Sequence, residues 1–365
     1  MPELTQIEVQ RDDLTKTRLV RRPLPELAPG QVLAKVDTFA LTANNVTYGV
    51  SGDMLGYWHA YPVDLPWGII PVWGFATVTA SRHEEIEAGE RIWGFLPMAS
   101  HVVLEPGEVT RRGFKDAAAH REPLADVYNR FLRTAEDPPE LKGLEAERSA
   151  LVPLFTTSFI VDDFLADNGW FGARQLVILS ASSKTGWGLA SFAHRREGHP
   201  VHVVGVTSAG NIGFVQGLGV CDQVIAYGKI ESLDASIPTV LVDMAGSADA
   251  RSRTHHHFGD NLTYSCVVGA THWTERGPRA DLPGAAPTFF FAPGQIAKRD
   301  AELGAGVIRQ RAQAEALRIA RETAHLRTVE QVAGADACRR AFAEMVAGRV
   351  APERLLMLSL NEAGA

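Results

Sequence analysis

Hydrophobic and polar positions are patterned differently in two stretches of the chain. Up to about residue 106, short apolar runs rich in β-branched residues are cut by turn signals such as Pro29-Gly30 and Ala88-Gly89-Glu90. The runs predict strands over Gln31–Phe39, Ile70–Ala80, Glu90–Phe95 and Ser100–Leu104. Short strands at this spacing suggest a small antiparallel β-barrel. Residues 107–148 carry charged and proline pairs, Arg111-Arg112, Glu136-Asp137 and Pro138-Pro139, and read as a surface insertion with some helix. From Ser149 the texture changes. A helix is expected over Ala150–Leu165, then strands Gln175–Ala181, Val201–Val206, Gln223–Ala226, Val240–Met244, Thr263–Gly269 and Thr288–Phe291, with helices running to Arg196 and through Gly217. Continuous apolar strands separated by helical spans indicate a parallel sheet covered on both faces. One long helix is expected near Gln295–His325, an amphipathic helix over Asp336–Ala347 and a last strand at Arg354–Leu360. The expected division is 1–148, 149–295 and a tail from 296–365 that returns to the first domain.

Composition narrows the function class. At 365 residues, with 45% hydrophobic and 22% charged residues, the chain suits two ordinary globular domains. A net charge of −7 disfavours a phosphate backbone as partner, so no nucleic acid is expected. No run of about 18 apolar residues appears, so no membrane span is expected. The opening residues MPELTQIEVQRDDL lack the apolar stretch of a secretory signal. Cys221, Cys266 and Cys338 are far apart, which suits neither a disulfide framework nor a metal knuckle. A reduced, cytoplasmic protein is expected.

The strongest chemical signal follows the first parallel strand. Leu176-Val177-Ile178-Leu179 runs into Ser180-Ala181-Ser182-Ser183-Lys184-Thr185-Gly186-Trp187-Gly188. A buried strand, a turn of small residues and a helix N-terminus let a backbone approach a pyrophosphate and offer it free N–H groups. A full G-x-G-x-x-G is absent, and an ordinary strand–helix turn is the alternative. Lys184 is read either as a phosphate contact or as a solvated side chain. After the second strand stands the neutral Thr207-Ser208, where an NAD site usually carries a carboxylate for the ribose 2′-hydroxyl. Its absence favours NADP.

The order of parts, barrel first, nucleotide domain in the middle and a returning tail, resembles the medium-chain dehydrogenase/reductase superfamily, in particular its zinc-free quinone oxidoreductase-like branch and a bacterial subgroup of it. The resemblance implies an α/β protein with a GroES-like β-barrel domain and a Rossmann domain. It implies that Leu41-Thr42-Ala43-Asn44-Asn45-Val46-Thr47-Tyr48 places an Asn, either Asn44 or Asn45, and Tyr48 at the nicotinamide end of a cleft. It further implies Thr157 at the nicotinamide ribose, Ser182, Ser183, Lys184, Thr185, Gly186, Trp187 and Gly188 around the pyrophosphate, and Thr207, Ser208 and Tyr227 at the adenosine 2′-phosphate. Met244, Gly246, Val268 and Gly269 would lie on turns beside the nicotinamide. Thr185 stands where the family usually has Gly, and Asn211 where it often has Lys. Zinc-dependent members place a Cys and a Gly-His-Glu where this chain has Asn44 or Asn45 and Val72-Trp73-Gly74-Phe75, so no metal is expected.

Each of these residues also has a packing alternative: Tyr48 as a barrel-rim residue, Asn44 and Asn45 as turn residues, Thr157 and Tyr227 as packed side chains. His255-His256-His257 splay about 100° apart on a helix and read as a solvated face. His272, with Trp273, follows a strand end and is a candidate for the substrate pocket and proton delivery. The aromatic loop Gly56-Tyr57-Trp58-His59-Ala60-Tyr61 is either a lid or a packed loop. The expected function is NADPH-dependent hydride transfer to a quinone or activated C=C of a small molecule, with Tyr48, Asn44, Asn45 and His272 as catalytic candidates. The alternative is an NADP(H)-binding sensor or structural protein without turnover. The apolar runs Leu262–Val268 and Thr288–Phe291 suggest a homodimer joined along a sheet edge.

Overall fold

The computed structural model describes residues 3–244, 246–268, 282–290 and 292–361. It divides into two compact units, residues 1–150 with 328–365, and residues 151–327. The first unit opens with β1 (Glu3–Gln10) and β2 (Asp13–Pro23), an antiparallel hairpin that the apolar pattern did not announce. β2 has no buried position, so its mixture of Thr, Lys and Arg carries little apolar signal. β3 (Val32–Leu41) leads into α1 (Ala43–Val50) and α2 (Gly52–Leu55). Then come β4 (Trp67–Gly68), β5 (Pro71–Ser81), β6 (Arg91–Pro97) and β7 (His101–Leu104), close to the expected strands.

The expected insertion over 107–148 is corrected. β8 (Pro106–Thr110), β9 (Gly113–Asp116) and β10 (Arg130–Arg133) continue the barrel sheet, and α3 (Glu145–Ala150) closes the segment. Arg111, Arg112 and Glu136 are exposed, but other charges of the segment are tied down. Arg133 reaches Glu90 at 2.6 Å, Arg148 pairs with Asp137, and the Phe114 and Phe131 rings stack 5.5 Å apart underneath.

The second unit runs α4 (Val152–Asp167), β11 (Gln175–Leu179), α5 (Lys184–Arg195), β12 (His202–Thr207), α6 (Ile212–Gly217), β13 (Gln223–Ala226), β14 (Thr239–Asp243), α7 (Ala248–Phe258), β15 (Leu262–Val267), β16 (Pro287–Phe289), α8 (Ala292–Leu303) and α9 (Val307–Glu322). Its six strands are parallel in the order β13-β12-β11-β14-β15-β16. Every residue of β11 and β14 is buried, as a strand covered on both faces requires. The single long helix expected near 295–325 is two helices. Gly304 and Gly306 separate them with φ of +98° and +80°, the left-handed region that glycine enters without penalty. α8 is tied to α4 by Gln295 and Arg299, each 2.7 Å from Asp163, so it lies within this unit, not with the returning tail.

The chain rejoins the first unit with β17 (Thr328–Ala333), α10 (Ala335–Val346) and β18 (Arg354–Ser359). The nine-stranded sheet has the order β17-β18-β3-β5-β6-β10-β9-β8, with β7 also on β3, beside a small sheet β2-β1-β4. Ile7, Phe39, Val72 and Phe95 share one core with Phe342 of α10 and Leu358 of β18. Loss of a buried Phe of this kind costs about 3–5 kcal/mol, which anchors the tail. The architecture is α/β, a GroES-like barrel with a Rossmann unit inserted before its last strands.

Candidate functional site

β11 ends at Leu179, and the chain turns through Ser180, whose φ of +62° is uncommon for a residue with a side chain. Ser183 then caps α5. Its Oγ accepts the Gly186 N–H at 3.1 Å and donates to the Ser180 carbonyl at 2.7 Å. A Cβ on Gly186 would collide with that same carbonyl oxygen and lie 3.0 Å from Ala181 Cα. A Cβ on Gly188 would lie 2.6 Å from Ser158 Oγ and 2.8 Å from Phe155. Ser158 Oγ also donates to the Thr185 carbonyl at 2.7 Å. The two glycines therefore let α5 sit against the strand turn and against α4. Lys184 and Thr185 form the opening turn of α5, the end towards which helix N–H groups point.

At the carboxyl end of the neighbouring strand, Thr207 Oγ1 donates to Ser182 Oγ at 2.9 Å and Asn211 Nδ2 donates to the same oxygen at 3.2 Å. A hydroxyl has two lone pairs and one proton. With both lone pairs filled, the Ser182 proton is left for an acceptor outside this trio. Ser208 next to it is exposed. Tyr227 is partly buried and hydrogen-bonded to Ser180; burial raises its phenol pKa. The edge is thus lined by neutral donors beside the positive end of a helix dipole.

Asp243 was not singled out in the sequence, although an acid directly after Val240-Leu241-Val242 was the available signal. Its side chain is fully buried at the end of β14. Oδ1 accepts the Gly246 N–H at 2.8 Å and Oδ2 accepts from Arg251 at 2.9 Å. The carboxylate is thereby neutralised and holds the turn that follows Met244. Val268 N–H donates to the Asp243 carbonyl at 2.9 Å, which sets the two strand-end turns side by side. Gly269, His272 and Trp273 lie outside the described residues.

Two expected cofactor residues are used otherwise here. The Trp187 indole is 2% exposed and lies between Phe155 and Phe214, at 5.5 and 5.6 Å. Its ring is packing, with the indole Nε1 buried and without a hydrogen-bond partner, while its backbone N–H donates to the Ser183 carbonyl within the helix start. Thr157 Oγ1 donates to the Pro153 carbonyl one helical turn back, at 3.2 Å.

On the barrel unit the two asparagines are placed differently. Asn45 is buried, its Oδ1 accepts the Thr42 N–H at 2.7 Å and its Nδ2 donates to the Pro71 carbonyl at 3.0 Å. It completes a capping box for α1. Asn44 is half-buried and hydrogen-bonds the Tyr48 hydroxyl, which also accepts from Trp73 Nε1 at 3.3 Å. Tyr48 is 6% exposed and packs against Tyr57, Phe95 and Tyr128 at ring distances of 4.5, 5.4 and 6.4 Å. Burial pushes its pKa well above that of a free phenol. The aromatic loop is a packed one: Tyr57, Trp58 and Tyr61 are buried, and Tyr57 shares a 3.0 Å hydrogen bond with Tyr128. His255 is not solvated either. It is fully buried, with Nε2 2.9 Å from Ser265 Oγ and Nδ1 3.0 Å from the Pro283 carbonyl.

A family model described as "Protein of unknown function (DUF2855)" matches residues 39–351. The chain belongs to this family. No curated protein sequence matches it. Among solved structures it is similar to CurA from Vibrio vulnificus in complex with NADPH, at 15% identity and a TM-score of 0.61, covering 98% of this chain and 99% of that one. It is similar to the CurK enoyl reductase at 13% identity and a TM-score of 0.57, over 98% and 99% of the two chains. It is also similar to the yhdH oxidoreductase of Salmonella enterica in complex with NADP, at 15% identity and a TM-score of 0.51, again over 98% and 99%. These likenesses establish the two-unit fold across nearly the whole DUF2855 chain. No helix among the described residues is long and apolar enough to cross a membrane.

Proposed function

We propose that this DUF2855 protein is an NADPH-dependent, zinc-independent reductase of a quinone or an activated C=C in a small molecule. The observation that carries the reading is the neutral trio Ser182, Thr207 and Asn211 at the N-terminus of α5. A trio of hydroxyls and an amide accepts a phosphate, and no carboxylate in it repels the 2′-phosphate that distinguishes NADP from NAD. Similarity to NADPH- and NADP-bound proteins of the same fold supports it.

In this reading Ser182 gives its spare proton to a phosphate oxygen, and the first turn of α5 supplies N–H groups to the pyrophosphate. Thr207 and Ser208 face the adenosine side, with Tyr227 packed beside them. When bound, NADPH supplies a hydride to the electron-poor carbon. The chain's own task is to align the partners, exclude water and stabilise the enolate or quinol oxygen by hydrogen bonding. We assign that donor role on the barrel unit to Tyr48 and Asn44. His272 stays a candidate proton donor. Two copies pair through the outer edge of β16, which ends the sheet.

Titration of both cofactors by protein fluorescence is expected to give at least about tenfold tighter NADPH than NADH, and Thr207→Glu is expected to invert the order through like-charge repulsion. Equal affinities in the native chain overturn the cofactor assignment. NADPH binding without oxidation by any enone or quinone would instead make the protein a sensor.

A further inference from the structure

The amino end of the same sheet carries a second cluster that the reductase reading does not use. His194 ends α5, His199 lies in the following loop, His202 opens β12 and Asp222 precedes β13. Among the described residues, His194, His199 and Asp222 form the group whose ligating atoms all lie within 4.8 Å of one another. Asp222 Oδ2 is 3.1 Å from His199 Nε2 and 3.7 Å from His202 Nδ1, and Oδ1 is 3.9 Å from His194 Nδ1. In a tetrahedral zinc site with bonds near 2.0–2.1 Å, ligand atoms sit about 3.3 Å apart, so His199 and Asp222 already stand near that spacing and the His194 ring must swing inward by more than half an ångström to join them.

Three details favour a cation. His199 Nδ1 lies 3.1 Å from the His194 carbonyl, and only a protonated nitrogen makes that bond. Nε2 faces the Asp222 carboxylate at 3.1 Å, so a positive charge is held there: a proton in the metal-free chain, which the ion would displace on binding. Backbone anchoring of the second ring nitrogen is also how metal-binding histidines are oriented. Secondly, His194 Nδ1 is buried and has no hydrogen-bond partner, although it faces Asp222. Leaving a buried polar atom unpaired is costly, and a metal bond would satisfy it. Thirdly, the carboxylate is held in place from outside: Asp222 Oδ2 accepts the Val203 N–H at 2.7 Å. His199 itself has a φ of +42°, directly after Gly198 at +78°, so the loop is bent to present this ring.

We propose that His194, His199 and Asp222 bind one divalent transition-metal ion of the zinc type, with water completing the coordination and His202 beside the carboxylate. Imidazole with a carboxylate is a donor set for Zn²⁺, Co²⁺, Ni²⁺ or Cu²⁺, and a poor one for Ca²⁺ or Mg²⁺. The ion is structural. It clamps the end of α5 and its loop to β12 and β13, at the end of β12 opposite Thr207, and it takes no part in hydride transfer.

The test is calorimetric titration of the EDTA-treated full chain with Zn²⁺ alone, with Co²⁺ absorption as the coordination readout. One saturable equivalent per chain is expected, with the intense visible bands of tetrahedral Co²⁺ and a rise in melting temperature. His199→Asn, which tolerates the left-handed backbone, and Asp222→Asn, which keeps an acceptor for Val203, should each weaken binding at least about tenfold. His202→Ala should weaken it less. His256→Ala with His257→Ala, on α7, should leave it unchanged. NADPH affinity should be the same in all of these variants, so this site is judged apart from the reductase reading. Absence of a saturable equivalent, equal binding by His199→Asn, or loss in the α7 variant would each overturn the proposal.

Discussion

The carboxyl edge of the Rossmann sheet and the aromatic core of the barrel are built on opposite plans. At the sheet edge, polar groups are placed by topology: every parallel strand delivers its last residues to the same side, so Ser182, Thr207 and Asp243 gather there whatever the details of packing. In the barrel, Tyr48, Tyr57, Tyr61 and Tyr128 are placed by packing, and their hydroxyls reach partners far away in sequence, such as Phe95 for Tyr61. Arg121 makes the point most strongly. It is fully buried under the rings of Tyr61 and Phe131, 3.4 Å from Asp116, and bonded to Asn129 and the Tyr128 carbonyl. A topological site tolerates change in its neighbours; a packed polar core does not.

The largest effect expected from this contrast is alkaline collapse of the barrel. Burial raises the phenol pKa of Tyr48, Tyr57 and Tyr128, and pushes Tyr61 up to about 12. The folded state therefore holds these protons more tightly than the unfolded chain, whose tyrosines titrate near about 10. The stabilisation is complete below that pH and is lost as pH rises through the folded values. Circular dichroism and phenolate absorbance should change together in one step above about pH 10. Phenolates that form near pH 10 in a chain still folded would contradict the packed-core description.

Arg121→Ala comes next. It strands Asp116 in the interior, where burial already raises that carboxyl's pKa. A loss of about 3–5 kcal/mol is expected from urea unfolding. A loss below about 1 kcal/mol would show that the network re-forms without the guanidinium.

Gly186→Ala should cost about 1–3 kcal/mol, because the new methyl meets the Ser180 carbonyl and α5 must move away from β11. NADPH affinity should fall at least tenfold with it, about 1.4 kcal/mol. Unchanged affinity would mean that the α5 N-terminus is not where the pyrophosphate rests.

Tyr48→Phe is the mildest change for stability, about 1 kcal/mol, since the ring contacts survive and the hydroxyl's hydrogen bonds with Trp73 and Asn44 are lost. On the proposed role, kcat should drop by about 10²-fold with KM little altered. A variant with full kcat would assign Tyr48 to the core alone.

The parts of the sequence that could be read correctly share a physical reason. Leu176–Leu179 and Val240–Val242 are apolar throughout because both faces of their sheet are covered, so pattern, burial and topology all agree. The turn at Ser182–Gly188 was readable because the close approach of α5 to the strand turn and to α4 leaves no room for a side chain at Gly186 or Gly188. The misread parts fail for equally local reasons. β2 and β17 have no buried position and give no clear apolar period. The 107–148 stretch hides strands under charges whose ion-pair partners, Glu90 for Arg133 and Arg91 for Glu145, are remote in sequence.

Local composition and period thus determined by themselves the order of the barrel and parallel-sheet segments, the strands of the parallel sheet and the turn that opens α5, since these depend on near neighbours along the chain. Tertiary structure alone decided which asparagine is spent on a cap, that Trp187 is packing, that His255 is buried and that three histidines and Asp222 converge. Those outcomes depend on contacts between residues distant along the chain, where hydrogen bonds and desolvation, rather than pattern, set each side chain's role.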